Sequence, residues 1–308
     1  MSEDLRESHG MKLAPQNKLE SVKEFEFTTH DFARVKALIY KRAGIALTDT
    51  KQEMVYSRLA RRLRATGIMS FWQYLDDLER GVDNNEWEAF TNALTTNLTS
   101  FFRESHHFPI LAEHMRNVKG PINIWCSASS TGEEPYSIAI TACEVFGTLT
   151  PPVHVVATDI DTNVLDTAVN GVYSIDKIAK MSSAQVKRFF LKGKGEQDGL
   201  VKIRPELRQI ITFMQLNLLS DNLPISGPFD AIFCRNVMIY FDKPTQGKVL
   251  TKFTPLLKPD GLLFAGHSEN FLYISDDFAL RGKTVYELVS SVRRSGTGAI
   301  ATNMRSPL

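Results

Sequence analysis

The sequence predicts an α/β protein: an open sheet of mostly parallel strands with helices on its faces, preceded by a small all-helical domain. Three features carry this expectation. Residues 122–137 read I-N-I-W-C-S-A-S-S-T-G-E-E-P-Y-S, an apolar run suited to a buried parallel strand, then six small residues (127–132), then an amphipathic helix opening at Glu133, Glu134 and Pro135. Further apolar runs at 153–158, 229–234 and 262–265 end on polar residues and alternate with helical stretches. Residues 28–94, in contrast, carry only helical periodicity.

A strand, a small-residue loop and a helix place a ligand at the carboxyl end of the sheet, where small side chains let the backbone approach it. Acids in the first helical turn argue against a phosphate. A cationic or neutral adenosine ligand fits better.

With 308 residues, 43% of them hydrophobic, the chain can bury a sizeable core and is expected to form two domains. Net charge is only +1, yet residues 34–64 hold nine Lys and Arg against Asp49 and Glu53. That asymmetry points to an acidic partner for one part of the molecule. Cys126, Cys143 and Cys234 lie inside apolar runs and read as reduced core residues of a cytoplasmic protein. No signal-peptide pattern opens the chain and no apolar run approaches the roughly 20 residues of a membrane span, so no membrane insertion is expected. His106 and His107 invite a metal reading, but adjacent residues of a helix turn to different faces and no Cys accompanies them; none is expected.

Taken in order, the polar residues 1–22 are expected to be disordered and residues 23–91 to form the helical domain. Thr28 or Thr29 caps a helix bearing Phe32, Val35, Leu38 and Ile39, closed by Gly44. A second helix opens with the capping-box pattern Thr50-x-x-Glu53. Its apolar stripe is Val55, Leu59 and Leu63, and Lys51, Arg58, Arg61 and Arg62 gather on the adjoining face, as a docking site or as a solvated surface. A third helix runs from Ser70 to Gly81, and a fourth carries Trp87, Phe90 and Leu94. The stretch A-L-T-T-N-L-T-S-F-F-R-E (93–104) is too apolar for a free linker and too rich in hydrogen-bonding groups for core, so it is expected to cross the crevice.

The second strand ends in Asp159-Ile160-Asp161. A carboxylate at a strand tip can accept from both hydroxyls of a ribose, and Asp159 is the better placed, since Asp161 before Thr162 reads as a helix N-cap. Residues 172–215 break the pattern and read as an inserted hairpin, with strands at 200–204 and 210–216 on either side of Pro205 and Glu206. Its glycines, 193–199, are explained by turn chemistry. The chain ends with two antiparallel strands, 278–280 and 284–289, and a flexible tail, 290–308.

This order of elements resembles the seven-stranded S-adenosylmethionine-dependent methyltransferase fold. More narrowly, N-L-T-S-F-F-R-E (97–104), S-T-G-E-E-P-Y-S (130–137), A-T-D-I-D (157–161), F-D-A-I-F-C-R-N-V-M-I-Y-F (229–241) and G-H-S-E (266–269) look like the chemotaxis receptor methyltransferases, the CheR family. The resemblance covers residues 28–289 and implies a methyltransferase domain over 92–289 with a small antiparallel β-subdomain inserted at 172–215. It implies a cytoplasmic, monomeric enzyme that methylates glutamates on the cytoplasmic helices of chemoreceptors, giving γ-methyl esters and S-adenosylhomocysteine. By motif position, cofactor contacts fall on Asn97, Thr99, Arg103, Glu134, Asp159, Asn217, Leu218, Arg235 and Asn236, although Asn217 also suits a turn cap. Arg103 and Tyr240 are the candidates to face the reacting groups. The basic face would dock on acidic receptor helices. The loop with Gly193, Gly195 and Gly199, together with Arg204 or Arg208, would serve a receptor C-terminal pentapeptide, unless the hairpin is only decoration. A nucleic-acid methyltransferase would also carry local basic charge, but the Asp/Asn-Pro-Pro-aromatic signature of amine methylation is missing where Arg235-Asn236 stands; a non-catalytic cofactor sensor is the other alternative.

Overall fold

A computed structural model describes residues 23–289; the expectations for 1–22 and 290–308 lie outside the described residues. Helix α1 (Thr29–Ala43) starts with a complete capping box, the Thr28 hydroxyl accepting from the Asp31 N–H while Asp31 accepts from the Thr28 N–H. Helix α2 (Gln52–Thr66) departs from expectation. Its predicted box is absent: a 3-10 turn, Asp49–Lys51, comes first, Thr50 Oγ1 pairs with Thr48 Oγ1, and the Glu53 carboxylate takes Lys23 Nζ at 2.7 Å. The tighter turn draws Thr50 into the helical path, where it cannot cap. Ser70 caps α3 (Phe71–Arg80) and Asp83 caps α4 (Asn84–Leu94). Val35, Ile39, Val55, Leu59, Leu63, Phe71, Leu75 and Phe90 share one buried core.

The four cations of the α2 face divide. Lys51 and Arg61 are exposed. Arg58 instead donates to the carbonyls of Ala93 and Thr95. Arg62 makes a two-pronged ion pair with Glu86 on α4, through Nε at 3.0 Å and Nη2 at 2.6 Å, and Tyr74 Oη joins the same carboxylate at 2.7 Å. The expected continuous basic face is therefore reduced, because a helical projection sorts charge by direction and does not show the neighbouring helix.

Helix α5 (His107–Asn117) leads into β1 (Ile122–Cys126), α6 (Glu133–Phe146), β2 (Val153–Asp159) and α7 (Thr162–Asn170). Then comes the insertion: β3 (Val172–Ser174), α8 (Ser183–Phe189), β4 (Phe190–Lys192) and β5 (Leu200–Ile203), forming a separate antiparallel sheet in the order β3-β5-β4. Helix α9 (Pro205–Gln209) returns the chain to β6 (Ile211–Gln215), followed by β7 (Phe229–Cys234), α10 (Lys243–Phe253), β8 (Leu257–Ala265), β9 (Phe278–Gly282) and β10 (Val285–Leu288). The main sheet has seven strands in the order β6-β2-β1-β7-β8-β10-β9. Its first five are parallel, and β10 runs antiparallel between β8 and β9.

Two expectations change here. The hairpin of 200–204 with 210–216 does not form: Pro205 occupies the first turn of α9, and Ile211–Gln215 pairs in parallel with β2, Val155 opposite Ile211 and Asp159 opposite Gln215. Pairing with β2 completes the main sheet, so the small sheet closes by residue 203 and takes its third strand from Val172–Ser174. Helix α6 is likewise not amphipathic but buried from Glu133 to Cys143, being covered by the sheet, α5 and α9. Among the described residues no helix is long and apolar enough to cross a membrane.

Removing Arg62 would leave the Glu86 carboxylate, only 14% exposed, without its ion pair. Arg62→Ala is expected to lower stability by about 1–3 kcal/mol, and exposed Arg61→Ala by less than about 0.5 kcal/mol; equal melting points for the two variants would contradict this division.

Candidate active site

The strand order reverses between β1 and β7, and the crevice outside the carboxyl ends of the strands lies there. It is a cleft of ≈ 940 Å³, part of it open to solvent, bordered by the ends of β1, β2, β6 and β7, by residues 94–99 and Arg103, and by Ala43 and Ile45 of the helical domain. All nine residues assigned to the cofactor, and Tyr240, line this one cleft. Of the stretch expected to cross the crevice, residues 94–99 and Arg103 line it.

The small-residue loop is held by its own backbone. Ser127 N–H donates to Phe233 O and Ser129 N–H to Thr158 O, each across to a neighbouring strand end. Ser130, at φ +48°, turns its N–H onto Asp159 Oδ2 at 2.8 Å. Asp159 Oδ1 accepts the Asp161 N–H at 3.0 Å, and burial pushes this carboxyl up to about 6 in spite of both bonds. Asp161 caps α7 through the Asn163 N–H and gathers Thr95 Oγ1 and the Asn97 amide on its other oxygen, at 2.6 and 2.7 Å.

Opposite lies a buried charge cluster. Glu134 has its carboxyl raised by burial, which Arg235 Nη1 opposes from 2.6 Å. The same guanidinium lies 3.3 Å from Glu104 and donates to Arg103 O. Burial would raise Glu104 too, but Arg235, the His267 N–H and the Asn236 amide together hold it below its ordinary range. Arg235 is thus committed within the protein, joining the helix that carries Glu134 to the segment that carries Arg103. Asn236, at φ +58°, is fixed by Glu269, which also accepts the N–H groups of Gly266 and Met238. Glu104 and Glu269 were not assigned from sequence. The available signal was their place inside recognised motifs, N-L-T-S-F-F-R-E and G-H-S-E.

Asn217 borders the cleft as part of the domain joint: its amide donates to Arg42 O at 2.7 Å and its Oδ1 accepts the Leu219 N–H. Leu218 is buried beside it. Thr99 and Tyr240 are half-buried on the cleft wall. Arg103 is half-buried and uses Nη1 on Leu98 O at 2.8 Å.

His106 and His107 do not diverge as expected, because residues 101–106 are turns and not helix; the rings lie 4.2 Å apart, and with Glu104 they bring three possible ligand atoms within 4.8 Å. The Arg235 guanidinium, 3.3 Å from Glu104, already supplies a cation there. Buried His107 is pushed down to about 4 and bonds to Lys283 O and Thr284 Oγ1 through Nε2.

In the small sheet, a Cβ on Gly193 would meet Gln197 O at 1.9 Å, and Gly195 and Gly199 sit at φ +60° and +82°, so the loop's geometry accounts for all three glycines. Strands β3 and β4 are its edges, and Arg204 and Arg208 are half-buried near α9.

Residues 97–286 match the family described as "CheR methyltransferase, SAM binding domain", and residues 30–95 match "CheR methyltransferase, all-alpha domain". The chain is 56% identical over 257 residues to the chemotaxis protein methyltransferase of Salmonella typhimurium, covering 83% of this chain and 89% of that one. It is 54% identical to the Escherichia coli protein of the same name, at 83% and 90% coverage, and 51% identical to chemotaxis protein methyltransferase 2 of Pseudomonas aeruginosa, at 85% and 94%. The cleft, the inserted sheet and the helical domain all fall inside these matches, and the chain belongs to the CheR methyltransferase family.

Proposed function

We propose that the chain methylates glutamate side chains on the cytoplasmic helices of chemoreceptors, leaving γ-methyl esters and S-adenosylhomocysteine, and that it works as a cytoplasmic monomer. Membership of the CheR family and the names of its relatives support this reading. The observation that carries it is the single cleft that joins two buried acids, Asp159 and Glu134, to Arg103 and Tyr240.

The residues present fit S-adenosylmethionine. Its ribose offers two donors, its amino group and sulfonium are cationic, and it has no phosphate, which suits a cleft whose buried charged groups are the acids Glu134 and Asp159 with Arg235. Bound there, the cofactor supplies an electrophilic methyl group. Asp159 accepts from the ribose hydroxyls, and Glu134 balances the ligand's positive charge, held in place by Arg235. Asn97, Thr99, Asn217, Leu218 and Asn236 complete the walls. The accepting glutamate is ionised at neutral pH and needs no general base. Its carboxylate must instead be oriented and kept dry. Arg103 does the first with a planar fork, one arm of which is pinned by Leu98 O, and Tyr240 donates to the same group.

On the outside, exposed Lys51 and Arg61 are the α2 cations that meet acidic receptor helices, while Arg58 and Arg62 keep the domain in shape. An edge of the small sheet takes a receptor C-terminal pentapeptide as an added strand, with Arg204 or Arg208 against its acidic groups, which raises the enzyme's local concentration near its substrate.

Three measurements test this reading. Arg103→Lys keeps the charge and loses the fork, so turnover on receptor-containing membranes, read as base-labile methyl release, should fall about tenfold or more with the fold intact; unchanged turnover would sink the role. Asp159 is ionised above its value of about 6 and protonated below it. Ribose hydroxyls donate to the ionised form, so affinity for S-adenosylhomocysteine should weaken about tenfold between pH 7.5 and pH 5, and calorimetry on Asp159→Asn should find that dependence gone. Finally, titration with a tryptophan-containing receptor C-terminal pentapeptide should give one site, lost when residues 172–204 are replaced by a short linker and kept in Asp159→Asn; no heat with any receptor tail would exclude the tether.

A further inference from the structure

The helical domain reaches the reacting end of the cleft through the last turn of α1 and residues 44–46, which contact the turn that carries Tyr240 and its neighbours as well as residues 217–219. The Ala46 N–H donates to Tyr240 O at 2.8 Å. Tyr40 Oη donates to Asp242 Oδ2 at 2.8 Å. Gly44, at φ +70°, approaches so closely that a Cβ would meet Leu219 Cδ1 at 2.6 Å and Thr245 Cγ2 at 3.3 Å. Asp242 is itself a structural junction, since its Oδ1 accepts the Thr245 N–H at 2.9 Å and caps α10. Bonds from Thr245 and then from Tyr40 hold its carboxyl below the ordinary range.

The 3-10 turn Met238–Tyr240 is therefore gripped from two sides. The methyltransferase domain holds it by Glu269 on the Met238 N–H and by the Gln246 amide on the carbonyls of Met238 and Phe241. The helical domain holds it through Ala46 on the Tyr240 carbonyl and Tyr40 on Asp242. Tyr40 is 42% exposed, so its hydroxyl contributes a directional bond and little core packing.

We propose that Tyr40 is a positioning residue for methyl transfer: its bond to Asp242 fixes the turn that presents Tyr240 to the accepting carboxylate, so the helical domain sets the geometry of the reacting end. This rests on the reading that Tyr240 hydrogen-bonds that carboxylate. In-line transfer is sensitive to displacements of an ångström or less, so a turn free to shift by that much costs rate without opening the cofactor pocket. The bond joins two domains, and a tie that served only to join them would act on stability instead.

The two roles separate in a double-mutant cycle on the full chain. Tyr40→Phe keeps the ring and removes the hydroxyl; kcat on receptor membranes should fall about five- to tenfold, with the calorimetric affinity for S-adenosylhomocysteine and the melting temperature unchanged. In a Tyr240→Phe background the same change should cause no further fall, because the group being positioned is already gone. An unchanged kcat, a loss confined to KM or to cofactor affinity, or a fall that repeats in full in the Tyr240→Phe background would overturn the role of Tyr40 while leaving the function of the cleft intact. Full turnover in Tyr240→Phe alone would overturn the reading of Tyr240 and this inference with it.

Discussion

The active-site cleft depends on one buried guanidinium between two carboxylates. Taking an ion out of water costs several kcal/mol, and an acid so buried neutralises itself unless a partner is supplied. Arg235 is that partner for Glu134 on α6 and Glu104 beside Arg103, and it closes the arrangement on the Arg103 carbonyl. Arg103 adds a second cation that also acts on Glu134, so the two acids of the cluster are balanced and the surplus negative charge of the cleft is that of Asp159. The arrangement thus joins the 97–104 segment to the sheet and leaves Asp159 to set the electrostatic character of the site.

Much of this was legible in the chain. The loop at 127–132 could be read because the small side chains and the abrupt change from apolar run to acidic helix start are local signals, and the division between Asp159 and Asp161 followed from cap chemistry. What was not legible lies in pairings between distant segments. Ile211–Gln215 has the composition of a hairpin arm, and only its partner, β2 and not β5, makes it part of the main sheet. Glu53 had the spacing of a cap, but the 3-10 turn at Asp49–Lys51 removes its partner, and its carboxylate meets Lys23 instead, 30 residues away. Arg58 and Arg62 shared a direction with Lys51 and Arg61, and only the packing of α2 beside α4 distinguishes them. Glu104 and Glu269 could have been suspected from their motifs, but that Glu104 is half-buried against Arg235, and Glu269 buried on three backbone N–H groups, is a property of the fold.

The helical domain is more than a platform for exposed charge. Arg42 O takes the Asn217 amide, Glu88 takes the Thr162 hydroxyl, and Asn92 reaches the same hydroxyl, so the joint runs along the strand ends that form the cleft. Ala43 and Ile45 contribute an apolar part of the lining that the two acids share. The exposed cations of the helical domain and its wall at the cleft thus belong to one unit with a single buried core.

The small sheet enters and leaves the larger fold at nearly the same point. The Ile203 N–H donates to Gly171 O at 2.9 Å, so the residues that open and close the insertion are one hydrogen bond apart. Downstream, the register of β6 is fixed by its own pairing with β2 and owes nothing to the length of chain before it. Closing an excursion with adjoining ends costs little chain entropy, but this one also packs into the core of the main sheet through Tyr173, Phe189, Phe190 and Val201. Tyr173 Oη donates to Thr131 O at 2.7 Å and Lys177 Nζ reaches Glu133 at 2.9 Å, so the insertion braces the small-residue loop. The exposed turn at 194–199 is where this architecture can acquire a new specificity with its reaction centre left in place.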